Sequence, residues 1–113
     1  MEFFPIPGII PIQYRFSKEK HISETIFKGS LVQLSAKGAK VRSENVAKDS
    51  IPPVQTNLKL NLLGQNIPAE LQEDIYAKVI DKAAENGNFY IHFSAKSPAI
   101  QARLDALYQS IKA

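Results

Sequence analysis

The sequence predicts a small, mostly β domain that ends in an α-helix. Apolar and polar residues alternate along several short segments, which is the period-2 pattern of half-buried strands. The last segment, residues 97–112, instead carries its apolar residues at helical spacing. The chain has 113 residues, 44% of them apolar and 22% charged. This length and composition suit one globular domain with a single core.

The chain begins with an apolar lead, residues 1–8, and we expect the single domain to span residues 9–113. Prolines at positions 5 and 7 exclude a helix in the lead. Phe3 and Phe4 would be costly to leave in water, so we expect them to pack on the domain or on a neighbour. A first strand follows, in which every second residue is apolar: Ile10, Ile12, Tyr14 and Phe16.

A second strand is predicted over residues 25–34, with a β-bulge at Gly29, where the alternation changes phase. This strand runs into a tight turn that contains Ser35 and Gly38. We expect a left-handed or otherwise strained backbone at Gly38, because glycine adopts such conformations most easily. The alternation then resumes, which predicts a third strand. Residues 42–57 are polar and are predicted to form a loop.

The second half of the chain holds one ambiguous segment. A strand is predicted over residues 58–62, where every second residue is leucine. Residues 68–87 have apolar residues every four positions, acids early and lysines late, which is typical of an amphipathic helix. The competing interpretation is a strand over 75–81 and a hairpin turn at Asn86-Gly87. The local pattern alone leaves both open.

The end of the chain is easier to interpret. Alternating apolar residues predict a strand over 89–93. Ser97 is a good N-cap and Pro98 suits the first position of a helix. An apolar stripe follows at helical spacing and is expected to face the core or a helix interface, with a dimer seam as the less favoured alternative. Its members are Ile100, Leu104, Leu107 and Ile111.

The turn after the second strand resembles a known signature. Gln33-x-Ser35-x-x-Gly38 is similar to the Asp/Asn-x-Ser-x-x-Gly motif of PilZ domains, the bacterial receptor modules for cyclic di-GMP. Gln33 stands where that family usually has Asp or Asn. The resemblance extends over residues 9–112 and implies a small antiparallel six-stranded β-barrel followed by a C-terminal α-helix. It therefore favours the strand interpretation of residues 75–81.

The second signature of the family, Arg-x-x-x-Arg, is missing. In the family it lies just before the first barrel strand, where its guanidinium groups clamp the phosphates of the ligand and stack on guanine. Residues 1–8 contain neither Arg nor Lys. Arg15 has Pro11 four positions before it and Glu19 four positions after it. We favour loss of the motif over arginines that lie outside these residues.

The resemblance implies a ligand site with four candidate residues: Arg15, Gln33, Ser35 and Gly38. The Ser35 hydroxyl either bonds the ligand or ties the backbone of its own turn, and both interpretations stay open. Gln33 either offers its amide to a guanine edge or is an exposed strand residue, and we favour the second. Gly38 is structural in either case. With the arginines missing, cyclic di-GMP is expected to bind weakly or not at all.

We therefore expect a bacterial, cytoplasmic regulatory or signalling module of PilZ type with a degenerate cyclic di-GMP site. It would act through a protein partner or within a larger parent protein. The first alternative is a functional receptor whose arginines lie outside these residues or are replaced. The second is a basic β-barrel that binds single-stranded nucleic acid, with Tyr14, Tyr76 and Tyr90 as candidate stacking residues. The net charge of +3 comes from lysines spread along the chain, which disfavours this second alternative.

Other classes of function lack support in the sequence. There is no cysteine, and the two histidines, His21 and His92, do not have metal-ligand spacing, so no metal site or other cofactor is expected. Asp74 and Asp81 lack the cleft that paired-carboxylate chemistry needs, and no catalytic residues or enzyme activity are expected. No apolar run of about 18 residues could span a membrane. The N-terminus lacks the pattern of a secretion signal.

Overall fold

A computed structural model describes residues 3–18, 21–22, 25–44, 53–64, 67, 72, 74–82, 87–94 and 97–112. These residues form seven strands and one long helix. The strands are β1 (Phe4–Lys18), β2 (His21–Ile22), β3 (Phe27–Leu34), β4 (Gly38–Ser43), β5 (Asn57–Leu62), β6 (Ile75–Lys82) and β7 (Asn88–Phe93). The helix is α1 (Pro98–Lys112).

The strands form a closed barrel. All neighbours pair antiparallel in the order β2-β1-β3-β4-β7-β6-β5, and β1 also pairs with β5. This last pairing joins six strands into a ring and leaves β2 outside it. Closure gives the ring strands a partner on both sides, so their backbone groups are bonded within the sheet. The prediction of a mostly β, six-stranded antiparallel barrel with a C-terminal helix is confirmed.

The core fills the inside of the barrel with side chains from all six ring strands. The largest fully buried ones are Tyr14, Phe89, Ile12, Leu31, Leu34, Leu58, Leu60, Leu62, Ile75, Ile91 and Val41. The Tyr14 phenol donates a hydrogen bond to Ser43 Oγ at 3.1 Å, so its polar end is bonded inside the core. Burial raises the pKa of this phenol, and the bond to Ser43 offsets part of the rise.

Helix α1 closes over the barrel with the stripe that the sequence predicts. Leu104 is only 4% exposed and belongs to the core. The other members, Ile100, Leu107 and Ile111, pack against it partly buried. The helix begins at Pro98, as predicted, and the Ser97 carbonyl accepts a hydrogen bond from the Gln101 amide at 3.0 Å.

The ambiguous segment is a strand over 75–82, which confirms the interpretation that the resemblance favours. β6 pairs with β5 on one side and with β7 on the other. Its inward residues Ile75, Ala77 and Val79 are fully buried. A helix here would have left the edges of β5 and β7 without partners, so pairing outweighs the local helical pattern. Asn86, part of the predicted turn, lies outside the described residues.

The predicted bulge at Gly29 is wrong. Gly29 pairs in regular register with Ile12 and Ser43. The irregularity between β3 and β4 lies between Leu31 and Gln33 instead. Glycine is needed at position 29 for another reason: a Cβ there would collide with the backbone carbonyl oxygen of Arg42.

The N-terminal part of β1 extends further than the sequence pattern indicates. The strand begins at Phe4, inside the lead of residues 1–8, and its register against β3 shifts between Pro5 and Ile10. The Phe4 ring lies 5.9 Å from the ring of Tyr108, and Phe3 also packs on the barrel, as expected. Within the described part of the chain, no helix is long and apolar enough to cross a membrane.

Candidate functional site

The turn between β3 and β4 is closed by its own serine. The Ser35 amide donates to the Gly38 carbonyl at 2.9 Å, and the Ser35 hydroxyl donates to the same oxygen at 3.2 Å. The Gly38 amide in turn donates to Ser35 Oγ at 3.0 Å. Ser35 is 2% exposed. In this structure the hydroxyl therefore bonds the backbone of its own turn.

Gly38 starts β4, at a point where β4 approaches β7 closely. It pairs with His92, and a Cβ at this position would collide with the backbone carbonyl oxygen of Ile91. Positive φ occurs at two other described glycines, Gly64 at 139° and Gly87 at 86°. The expectation of a left-handed backbone at Gly38 is therefore wrong, and close strand approach is the reason for glycine here.

Gln33 lies beside this turn on the outer face of the barrel. It pairs with Pro5 on β1 and with Lys40 on β4. Lys40 pairs with Tyr90 on β7, and the Lys40 ammonium lies 5.7 Å from the centroid of the Tyr90 ring. Lys40 was not among the residues that the sequence singled out. Strand alternation could have identified it, because Lys40 is two residues from Gly38 and therefore lies on the same side of β4.

Arg15 lies on another part of the barrel. It pairs with Lys59 on β5, whose ammonium forms an ion pair with Asp74 at 3.0 Å. The Asn61 amide also donates to Asp74, at 3.0 Å. This bond, together with Lys59 and the charge of Arg15, holds the pKa of Asp74 below its usual value despite partial burial.

The register of β1 and β3 separates Arg15 from the other three candidates. Tyr14, the residue before Arg15, pairs with Phe27, and Gln33 lies six residues further along β3. At about 3.3 Å per residue the separation is about 20 Å. The structure therefore brings Gln33, Ser35 and Gly38 together at one end of the β3–β4 pair and places Arg15 elsewhere.

The candidate stacking residues do not form one platform. Tyr14 is fully buried in the core, so its selection as a surface aromatic is wrong. Tyr76 on β6 is 46% exposed, and Tyr90 on β7 is half-buried. His92 is half-buried on β7, and the side chain of His21 lies outside the described residues. The described residues contain no group of three or more His, Cys, Asp and Glu that could hold a metal ion.

Comparison with solved structures identifies the fold. The PilZ domain of CeSA from a cellulose-synthesizing bacterium is 18% identical, and the match covers all of both chains with a TM-score of 0.63. The PilZ domain of YcgR from Escherichia coli, solved with c-di-GMP, is 14% identical over 98% of this chain and 88% of that chain, with a TM-score of 0.68. No protein-family model and no curated protein matches the sequence. The chain therefore has the PilZ-domain fold, as the resemblance implied.

Proposed function

We propose that this PilZ-like domain is a bacterial, cytoplasmic regulatory module without catalytic activity, whose cyclic di-GMP site is degenerate. It acts by contact with a protein partner or within a larger parent protein. The proposal is supported by the fold, since the YcgR domain that shares it was solved with c-di-GMP. It is also supported by the Ser35–Gly38 turn, which lies beside a surface whose described residues include no pair of arginines.

The observation that carries the proposal is the composition of the surface around the turn. Opposite Gln33 on β1 stands Pro5, which offers neither a cation nor a backbone N–H. The Ser35 hydroxyl is already bonded to the backbone of Gly38. Arg15 lies about 20 Å away along the sheet, where its charge contributes to lowering the pKa of Asp74. Among the residues that the structure describes, a doubly charged ligand with two phosphates would find no guanidinium pair around this turn.

One observation favours the alternative of a functional receptor with replaced arginines. Arg42 is exposed and lies two residues beyond Lys40, on the same face of β4. Together the exposed Arg42 and the largely buried Lys40 place two cations on the outer face of β4, with Arg42 about 13 Å from Gly38 along the strand. Lys40 is a point charge without the planar guanidinium, and a single Arg cannot repeat a two-arginine clamp. We therefore keep the degenerate site as the main proposal and include Arg42 in its test.

An NMR titration of the isotope-labelled chain separates the three candidate functions. Cyclic di-GMP is added to about 100 μM, well below the millimolar dissociation constant expected for a degenerate site. We expect the amide signals of Gln33, Ser35 and Gly38 to stay in place. Saturable shifts of these signals that disappear in the Arg42→Ala variant would establish the altered receptor instead.

A second arm uses a single-stranded oligonucleotide of about ten nucleotides, which suits the site size of small β-barrels. Shifts centred on the exposed Tyr76 and sensitive to salt would support nucleic-acid binding. No shift with either ligand is the result that the proposal predicts. The Tyr76→Ala variant is the matched control for this arm.

A further inference from the structure

A strip of polar and aromatic residues on the outside of the barrel is covered. Gln33, Lys40 and Tyr90 are cross-strand neighbours on β3, β4 and β7, and we call these three the outer row. Each has a sequence neighbour that is buried in the core, so the outer row points away from it. Yet Lys40 is only 7% exposed, and the other two are half-buried. Lysine is rarely buried this deeply, so another part of the chain must cover the row.

The cover includes Phe3. Its ring centroid lies 5.1 Å from that of Tyr90, and the Lys40 ammonium lies 5.7 Å from the same Tyr90 ring. In the sheet, β3 and β4 separate β1 from β7. Pro5, two residues after Phe3, pairs with Gln33 on β3, and the outer row continues from Gln33 through Lys40 to Tyr90. The contact of Phe3 with Tyr90 therefore lies along the outer row, which has Lys40 between its two ends.

Phe3 covers the outer row without being part of the core. The next residues provide the anchors: the Phe4 ring packs on Tyr108 at 5.9 Å, and Ile6 is buried in the core. Of the residues described ahead of the register shift, Phe4 and Pro5 are the two that pair with β3. Proline has no N–H to donate to this short ladder. Phe3 can therefore leave the outer row while its anchors and the barrel stay folded.

We propose that the outer row is a docking site for an extended segment of a protein partner, and that Phe3 occupies the site until the partner displaces it. The segment places an aromatic residue beside an acidic one. This inference rests on the protein-interaction role proposed above. It adds where the partner binds, what chemistry the partner brings and which residue of the chain competes with it.

The chemistry of the outer row sets the chemistry of the partner. The Tyr90 ring accepts another aromatic ring in a tilted contact, as it does with Phe3. The Lys40 ammonium beside that ring attracts a carboxylate. The Gln33 amide can donate to and accept from an extended backbone. The lead itself has this pattern, since Glu2 directly precedes Phe3 in the sequence.

A labelled peptide tests the exchange. The peptide has the sequence of residues 1–8, and its binding to the full chain is followed by fluorescence anisotropy. If Phe3 occupies the outer row about 90% of the time, the Phe3→Ala variant binds the peptide about tenfold more tightly than the unsubstituted chain. Adding Lys40→Met to this variant weakens binding, and so does a Glu2→Gln peptide. Tyr76→Ala removes an exposed aromatic residue elsewhere and leaves the affinity unchanged.

Two results would overturn the inference. Equal affinity of the unsubstituted chain and the Phe3→Ala variant would mean that Phe3 does not compete for the site. Absence of peptide binding by a folded Phe3→Ala variant at millimolar concentration would mean that the outer row is not a docking site. If that variant does not fold, NMR of the unsubstituted chain replaces it: saturating peptide must shift the Phe3 ring signals, and unchanged signals reject the exchange.

The same samples keep this inference separate from the proposed function. Tight binding of cyclic di-GMP would reject the degenerate site, whatever the peptide does. Failure of the peptide together with absence of cyclic di-GMP binding would remove the docking site and leave the degenerate site standing. Each measurement therefore rejects only the proposal that it addresses.

Discussion

Replacing Ser35 by alanine tests whether the residue shared with the PilZ motif holds the fold of the turn. The substitution removes the side-chain hydroxyl and leaves the backbone of the turn in place. The Gly38 amide then loses its acceptor, Ser35 Oγ, which lies 3.0 Å away. The Gly38 carbonyl keeps the bond from the Ser35 amide at 2.9 Å. The substitution therefore leaves one buried backbone donor without this partner.

The size of the effect follows from that count. A buried donor without an acceptor costs about 1–3 kcal/mol. The Gly38 carbonyl loses the hydroxyl but keeps the bond from the Ser35 amide, so its loss costs little. Because Ser35 is 2% exposed, water does not readily replace the lost hydroxyl. We expect Ser35→Ala to lower the free energy of unfolding by about 1–3 kcal/mol.

Equilibrium urea denaturation, followed by far-UV circular dichroism, measures this loss. Ser94→Ala is the matched control, because Ser94 is exposed just after β7 and its replacement is expected to change stability by less than about 0.5 kcal/mol. A loss for Ser35→Ala no larger than that of the control would refute the reasoning. The hydroxyl would then be dispensable for the turn and available for another role.

Three further predictions test the core, the strand contact and the surface charges. Leu104→Ala removes a side chain that is 4% exposed and should lower stability by about 2–4 kcal/mol in the same assay; a loss under about 0.5 kcal/mol would contradict its place in the core. Gly38→Ala should destabilise the barrel, because the new methyl group would collide with the Ile91 carbonyl, and unchanged stability would contradict this contact. The pKa of Asp74 is lowered on folding, so its ionised form contributes stability above its unfolded pKa of about 3.9, and the contribution is lost as pH falls through the folded pKa. When the pH falls from 7 to about 3, the Asp74→Asn variant should therefore lose less stability than the unsubstituted chain. The difference between the two losses should be small, because the carboxylate is half exposed. Equal losses would contradict the lowered pKa.

The local sequence pattern was sufficient for elements whose own residues show a clear alternation of apolar and polar side chains or a clear helix start. Alternation predicted the strands around Tyr14 and Phe89, and an N-cap followed by proline predicted the start of α1 at Pro98. The strand at 75–82 was different, because its local periodicity is helical. Its pairing with β5 and β7 makes this segment a strand rather than a helix. The sequence indicated that pairing only through the family resemblance.

Three features of the structure depend on long-range pairing and were not indicated by the local sequence pattern. The bulge lies near Val32 because β4 pairs in one register with Leu31 and in another with Gln33, a mismatch that no residue type marks. Arg15 is distant from the turn because β1 is long and places it beside β5. The crossing of Phe3 to Tyr90 joins parts of the chain 87 positions apart, and local periodicity does not report such contacts.

The proposal of a degenerate site is tested most directly by calorimetric titration of the chain with cyclic di-GMP near physiological salt. Hydrogen bonds from charged groups contribute about 1.5–3 kcal/mol each, so a site without the two arginines of the motif would bind less favourably by about 3–6 kcal/mol, at one bond per arginine. A change from micromolar to millimolar affinity corresponds to about 4 kcal/mol, which lies within this range. We therefore predict a dissociation constant of about 1 mM or weaker, with no saturable heat at micromolar ligand. Saturable binding with a micromolar dissociation constant would contradict the proposal, and its loss in Arg42→Ala would locate the site on β4.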